Sequence, residues 1–281
     1  MRLVNAIVVE GGAMRGIYAA GVLDVFLEND FHPFDLAIGA SAGACNLASH
    51  LAGQHGRNRR CYTTQMSRAE FVDPRRFLRG GHWIDIDYLW DAFAREDPLD
   101  AKAATANRTR LVVAATSVET GEPVYLEPTS DTLIEVLRAS SAVPVLFRKT
   151  VEIDGKRFVD GGVSAPIPVE EAYRRGARTI LVIRSRPERF GGPSRLESAL
   201  ASIAFRKQPG LARAFRVYRD VYARSVAFLR RPPNGCTIIE VVPSRHLRTG
   251  RTTRDPRALA EDYAAGRAAG LRAMQRWPRR A

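Results

Sequence analysis

Asp35-Leu-Ala-Ile-Gly-Ala-Ser-Ala-Gly-Ala44 is the stretch on which the reading of this 281-residue chain turns. A short apolar run, Leu36 to Ile38, leads into Gly39-Ala-Ser41-Ala-Gly43, and helix-compatible sequence follows from Ala42 to Leu51 without a breaker. In that strand, turn and helix context a G-x-S-x-G pattern marks a nucleophile elbow. The two glycines let the backbone bend tightly, so that Ser41 Oγ stands free at the end of a strand. The helix behind it points its positive end at any oxyanion formed there. On spacing alone a bare small-residue turn fits as well, so Ser41 needs partners elsewhere in the chain.

Working outward, Leu3 to Val9 predicts a buried parallel strand, followed by the turn Glu10-Gly-Gly-Ala-Met-Arg-Gly16. Ile17 to Asn29 then carries Ala19, Val22, Leu23, Phe26 and Leu27 at helical spacing. This strand–helix–strand–helix opening predicts an α/β fold with a mainly parallel central sheet flanked by helices. Residues 55–108 read as helical and mostly polar, interrupted at Pro74 and Gly80-Gly81, with no assignable role. Leu111 to Ala115 reads as another buried strand, and Ser130 or Asp131 as the cap of a helix ending at Ser141. Asp154-Gly155 signals a hairpin that runs directly into Asp160-Gly-Gly162, and Thr179 to Ile183 reads as a further strand.

Beyond it, Ser194-Arg-Leu-Glu197 has the form of a capping box, and a longer helix is expected from Pro209 to about Arg230. Its apolar face (Leu211, Phe215, Tyr218, Tyr222, Leu229) lies opposite Arg213, Arg216, Arg219 and Arg224. Thr237 to Val242 and Asp255 to Gln275 read as a last strand and a terminal helix. The expected organisation is a catalytic core over 1–185 and a helical, arginine-rich C-terminal extension over 186–281 packed on the same domain.

Composition narrows the class. No apolar stretch approaches the ~18 residues of a membrane span, and the N-terminal apolar run is too short for a signal peptide. Cys45, Cys61 and Cys236 have no metal-like spacing, which favours a reduced cytoplasmic setting. The net charge of +13 is uneven. Residues 1–180 carry 21 Lys+Arg against 23 Asp+Glu, whereas 181–281 carry 22 against 7. That asymmetry points to an anionic partner, a membrane surface or nucleic acid.

Ser41 requires oxyanion donors and a base. The turn at Gly11, Gly12 and Ala13 leaves backbone N–H groups free at a helix start, where negative charge can gather. A phosphate-binding loop is the alternative, but neither G-x-G-x-x-G nor G-x-x-x-x-G-K-[ST] is present. Of the five histidines, only His246 follows the candidate acids, in an arginine-crowded segment that reads as a solvated loop. Asp160, at a strand end and followed by two glycines, is the better base. No cofactor or metal is expected.

Gly11-Gly-Ala-Met-Arg-Gly16, Gly39-Ala-Ser-Ala-Gly43 and Asp160-Gly-Gly162 together resemble the patatin-like phospholipases, in that family's order over about residues 1–185. The small-residue run Ala139-Ser-Ser-Ala-Val-Pro144 before the aspartate is similar too. The resemblance implies a Ser41–Asp160 dyad without histidine and hydrolysis of lipid esters; the basic C-terminal third adds the expectation of a cytoplasmic protein, peripheral at the inner face of the membrane. Ala13 stands where the family usually has a third glycine. Rival readings are an esterase or thioesterase on soluble substrates, a catalytically silent lipid-binding scaffold, and a basic nucleic-acid-binding protein. The last lacks an RNP-like or finger motif.

Overall fold

The computed structural model describes residues 4–278 except Gly191, Pro193 and Arg245; Leu3, the expected start of the first strand, lies outside them. In chain order the elements are β1 (Val4–Val9), α1 (Gly16–Glu28), β2 (Leu36–Ala40), α2 (Ala42–Leu51), α3 (Arg57–Thr63) and α4 (Pro74–Leu78). Next come α5 (Ile86–Glu96), α6 (Ala101–Ala106), β3 (Arg110–Ser117), β4 (Pro123–Leu126), α7 (Leu133–Ser141), β5 (Val151–Ile153) and β6 (Lys156–Asp160). The chain closes with α8 (Val169–Arg174), β7 (Ala177–Ile183), α9 (Arg195–Ala204), α10 (Pro209–Arg230), β8 (Thr237–Val241) and α11 (Pro256–Arg276).

The fold is α/β, with one mixed, mostly parallel sheet in the order β5-β6-β3-β2-β1-β7-β8 and β4 paired to β3. The strands β3, β2, β1, β7 and β8 are parallel to their neighbours, while β4 and β6 add to β3 antiparallel and β5 pairs antiparallel with β6. Burial on both faces explains why the parallel strands are apolar throughout rather than alternating. In β1, Ile7 and Val9 face one helical layer with Leu47 and Leu137, while Ala6 and Val8 face Val169, Tyr222 and Val226. The period of two thus sorts one strand into two cores.

The C-terminal third is built into this architecture. β8 extends the sheet beside β7, and α10 covers one face through Tyr222, Val226 and Leu229. α11 packs on α1 so closely that a methyl group on Gly266 would stand 2.0 Å from the Tyr18 carbonyl oxygen. Buried Asp24 accepts from Tyr263 Oη at 2.7 Å, and Arg267 grips Glu28 at 2.6 and 2.8 Å.

Most expected boundaries agree with the elements to within a residue or two. Both bonds of the capping box at Ser194 and Glu197 form, at 3.1 and 2.7 Å. One cap differs: α7 starts after Thr132, not Ser130 or Asp131, and no side chain caps it, since the Thr132 hydroxyl instead accepts from the Thr129 amide at 3.0 Å. Among the described residues no helix is long and apolar enough to cross a membrane.

Candidate active site

Ser41 leaves β2 with φ 53° and ψ −130°, a conformation that L-residues rarely adopt and that stores about 1–3 kcal/mol. The surroundings force it. A methyl group at Gly43 would stand 2.3 Å from the Val9 carbonyl oxygen, so α2 can start this close to β1 only with glycine there. The Ser41 amide donates to Ser140 Oγ at 2.8 Å, and Ser140 Oγ donates to the Ala114 carbonyl at 2.7 Å. Ser140 is fully buried at the end of α7, so the elbow is tied to both β3 and α7. Ser140 belongs to the Ala139–Pro144 run, the only sequence trace of this role.

Sheet register brings Asp160 to Ser41. Ala114 pairs with both Ala40 and Tyr125, and Ala115 with both Val124 and Asp160. A strand residue has two ladder edges, so β2 and β6 occupy one edge of β3 in succession and β4 takes the other. The end of β2 and the end of β6 therefore meet. Ser41 and Asp160 are each 6% exposed. Asp160 Oδ1 accepts the Gly162 amide at 2.7 Å. Burial pushes the Asp160 carboxyl up to about 6, while the Ser41 hydroxyl, the Gly162 amide and the Arg251 charge each pull it back down.

The glycine turn lies across from both. No described hydrogen bond engages the N–H groups of Gly11, Gly12 or Ala13, and all three residues line one cavity with Ser41 and Asp160. Ala13 adopts φ 50°, the left-handed region in which the family's usual glycine carries no strain. The turn is held from behind. Ser185 Oγ donates to the Gly11 carbonyl and the Ser185 amide to Glu10 Oε2, both at 2.7 Å. Glu10 is buried and accepts Tyr222 Oη at 2.9 Å, and burial raises its carboxyl despite the nearby Arg184 charge. Arg184, 1% exposed, pairs with Glu240 at 2.7 Å. Glu10, Ser185, Arg184 and Tyr222 carry no motif, so sequence gives no sign of this support.

Two cavities meet at Ala13, Ser41 and Val143. One is walled by apolar side chains, among them Met66, Phe71, Ile86, Trp90, Phe93 and Leu137. Most of that wall comes from residues 57–99, which gives the middle segment its place. The other holds the glycine turn and Asp160 together with Arg15, Arg186, Phe215, Tyr218 and Arg251. No histidine lines either cavity. His246 is exposed, His55 pairs with Glu28 at 2.8 Å, and buried His50, lowered to about 4 by burial, packs on His32.

A strained serine after a central strand, beside a buried carboxylate and a glycine turn, is a hydrolase arrangement, and sequence comparison names the family. The chain belongs to the patatin-like phospholipases, whose family model matches residues 7–173. A second model, for a domain of unknown function (DUF6363), matches residues 208–280. The uncharacterized protein YjjU of Escherichia coli strain K12 is 37% identical over 273 residues, covering 94% of this chain and 75% of that one. Two solved structures are similar at low identity. VipD from Legionella pneumophila matches at 15% identity with a TM-score of 0.47, over 98% of this chain and 67% of that one. Human GIVD cytosolic phospholipase A2 matches at 11% with a TM-score of 0.48, over 97% of this chain and 62% of that one, less than two thirds of its length. Family membership supports a lipid-hydrolysing enzyme.

Proposed function

We propose that this protein is a serine lipid acyl hydrolase of phospholipase A type, cleaving carboxylic esters through a Ser41–Asp160 dyad. Asp160 accepts the Ser41 proton as Ser41 Oγ attacks the ester carbonyl. The N–H groups of Gly11, Gly12 and Ala13 hold the tetrahedral oxyanion. Proton return to the alkoxide releases the alcohol, and water attacks the acyl-enzyme to release the fatty acid and restore Ser41. The observation that carries this reading is a strained serine that shares one cavity with a buried carboxylate, which burial pushes up to about 6, and with backbone amides that no described hydrogen bond engages. A carboxyl at about 6 is a far better base near neutrality than one at its ordinary value. The apolar cavity beside Ser41 suits an acyl chain.

An active-site serine phosphonate probe tests the assignment. The wild-type protein should label stoichiometrically and lose hydrolysis in step, and Ser41→Ala should not label. Equal labelling of Ser41→Ala would remove the nucleophile from this reading.

Residues 1–185 are the catalytic core in this reading and 186–281 a helical extension of the same domain, supported by β8 in the sheet and α11 on α1. We further infer peripheral binding at the cytoplasmic face of an anionic membrane. Arg213 and Arg224 pair with Glu122 and Glu170, so that face of α10 is less cationic than its sequence suggests. α9 offers a better contact. Leu196, Leu200 and Ile203 are 69, 58 and 60% exposed on one helical face, and exposed Arg206 and Lys207 follow directly. An apolar stripe flanked by cations suits a lipid interface.

Burying one such side chain is worth about 1.5–3 kcal/mol. Leu200→Glu with Ile203→Glu is therefore expected to cut hydrolysis of anionic vesicles by tenfold or more. A short-chain soluble ester should be cleaved as before. Vesicle co-sedimentation across a salt series, wild type against the double variant, reads the binding directly. Unchanged sedimentation would leave α9 a solvated surface helix.

A further inference from the structure

The apolar cavity beside Ser41 holds a buried charge. Arg57 lines it from the start of α3 and is 4% exposed. Elsewhere the fold pairs such a side chain, as buried Arg184 meets Glu240 at 2.7 Å. Arg57 spends its bonds on neutral oxygens instead. Nη1 donates to Ser49 Oγ at 2.8 Å, and Nε and Nη2 donate to the Asp97 carbonyl at 3.0 and 2.7 Å. Among the described residues its ion-pair partner is Asp97, 3.9 Å from Nε, and Arg60 already grips that carboxylate at 2.9 and 3.1 Å.

Neutral acceptors need donors, not charge. Neighbouring Asn58 makes the same kind of tie with an amide, donating to the Asn46 carbonyl at 3.0 Å. The ties therefore leave the positive charge of Arg57 unexplained, and burying an ion that no opposite charge closely meets costs stability. The Phe93 ring, its centre 5.6 Å from the guanidinium carbon, offsets part of that cost. The charge acts inside the cavity. Cys45 and Cys61 both line the wall; burial pushes each thiol up to about 11, and the Arg57 charge pulls both back down. A guanidinium has five N–H groups, so these bonds leave one N–H spare on each terminal nitrogen. A carboxylate accepts such a pair as two parallel bonds.

The helix sets the distance from nucleophile to charge. Ser41, Cys45 and Ser49 recur at four-residue spacing and so follow one side of α2. Ser49, which holds Arg57, lies about 12 Å along that helix from the elbow.

We propose that Arg57 is the end stop of the acyl cavity and recognises acyl chains that terminate in a carboxylate. The inference rests on the reading of Ser41 as nucleophile with the acyl chain in this cavity. The preferred acyl group is that of a medium-length dicarboxylic half-ester, with its ester carbonyl at Ser41 and its free carboxylate on the spare N–H groups. A plain chain of equal length puts a methyl group there, which strips water from the guanidinium and replaces none of its bonds. A shorter dicarboxylate strands its own charge among apolar side chains, a worse outcome than the plain chain.

The test uses 4-nitrophenyl half-esters of pentanedioic and nonanedioic acids, each against the plain ester of equal length. All are used below micelle formation and corrected for spontaneous hydrolysis. The kcat/KM ratio of carboxylate to plain ester should be about 10- to 100-fold in favour of the carboxylate for the nonanedioate. For the pentanedioate it should fall below one. That reversal is read on the wild-type protein and needs no variant to fold. Arg57→Gln keeps a neutral donor for the Ser49 and Asp97 oxygens and should remove the nonanedioate preference. A ratio on the same side of one for both chains, or a preference that survives Arg57→Gln, overturns the proposal. Calorimetry on Ser41→Ala separates the subsite from the chemistry. Monomethyl nonanedioate should bind about tenfold tighter or more than methyl nonanoate, and adding Arg57→Gln should erase the difference. Equal binding of the two esters would sink the subsite. If no ester is hydrolysed while that binding preference holds, the hydrolase reading fails and the assignment of Arg57 stands.

Discussion

Ser41→Ala, Asp160→Asn and the double variant are all expected to fall to one common floor of hydrolysis, about 10⁴-fold or more below wild type. Members of a single proton-transfer unit are non-additive: once Ser41 has no base, or Asp160 no proton to take, removing the other changes nothing further. The wild-type pH profile carries the same argument. Asp160 must be ionised to accept a proton, and burial sets its carboxyl at about 6. kcat/KM should therefore be flat above about pH 7 and drop tenfold per unit well below pH 6, with no second limb from an imidazole. His246→Ala, at an exposed position that lines neither cavity, should keep wild-type rates. A third variant separates strain from chemistry. Ser41→Gly relieves the φ 53° backbone and should melt higher, by about 1 kcal/mol of stability, while being inactive. A dead His246→Ala beside an active Asp160→Asn would end the dyad reading.

The parts of this site that were legible in sequence are the parts whose chemistry is local. Gly39-x-Ser41-x-Gly43 specifies a turn within five residues, and Gly11-Gly12 specifies another, because backbone geometry there depends on the missing Cβ. The parallel sheet follows equally from strand and helix periods in single segments. What could not be read depends on pairings far apart in the chain. That β6 follows β2 along one edge of β3 is a register fact joining residues 40, 115 and 160. The apolar cavity wall is assembled from separate pieces: α3 and α5 give four lining residues each, and Met66, Phe71, Ile84 and Leu99 come singly between and after them, so no one segment of 57–99 announces a cavity. The arginine face of α10 misled for the same reason: Glu122 and Glu170, which neutralise part of it, lie 91 and 54 residues earlier in the chain.

Gly12→Ala should lower kcat by about 10²- to 10³-fold with little change in KM. The backbone at Gly12, with φ 168°, is extended and would accept an alanine; the obstacle is Ser185. An added methyl group would stand 2.6 Å from Ser185 Oγ and 3.0 Å from its Cβ. Ser185 cannot yield freely, because its amide is bonded to buried Glu10 and its hydroxyl to the Gly11 carbonyl. The turn must move instead, and the amides of Gly11, Gly12 and Ala13 move with it. A donor displaced by even part of an ångström from where the oxyanion forms loses most of its value, since a misplacement of ~1 Å can cost 10²-fold. The ground-state ester makes little use of those amides, so the loss belongs in kcat. Ala13→Gly works in the opposite direction. It removes the cost of φ 50° in a residue with a Cβ, about 1 kcal/mol, and keeps the N–H, so it should raise the melting temperature and preserve kcat. Thermal melts and steady-state rates on a soluble ester measure both variants. A folded Gly12→Ala protein with undiminished kcat would mean that the oxyanion is held somewhere other than this turn.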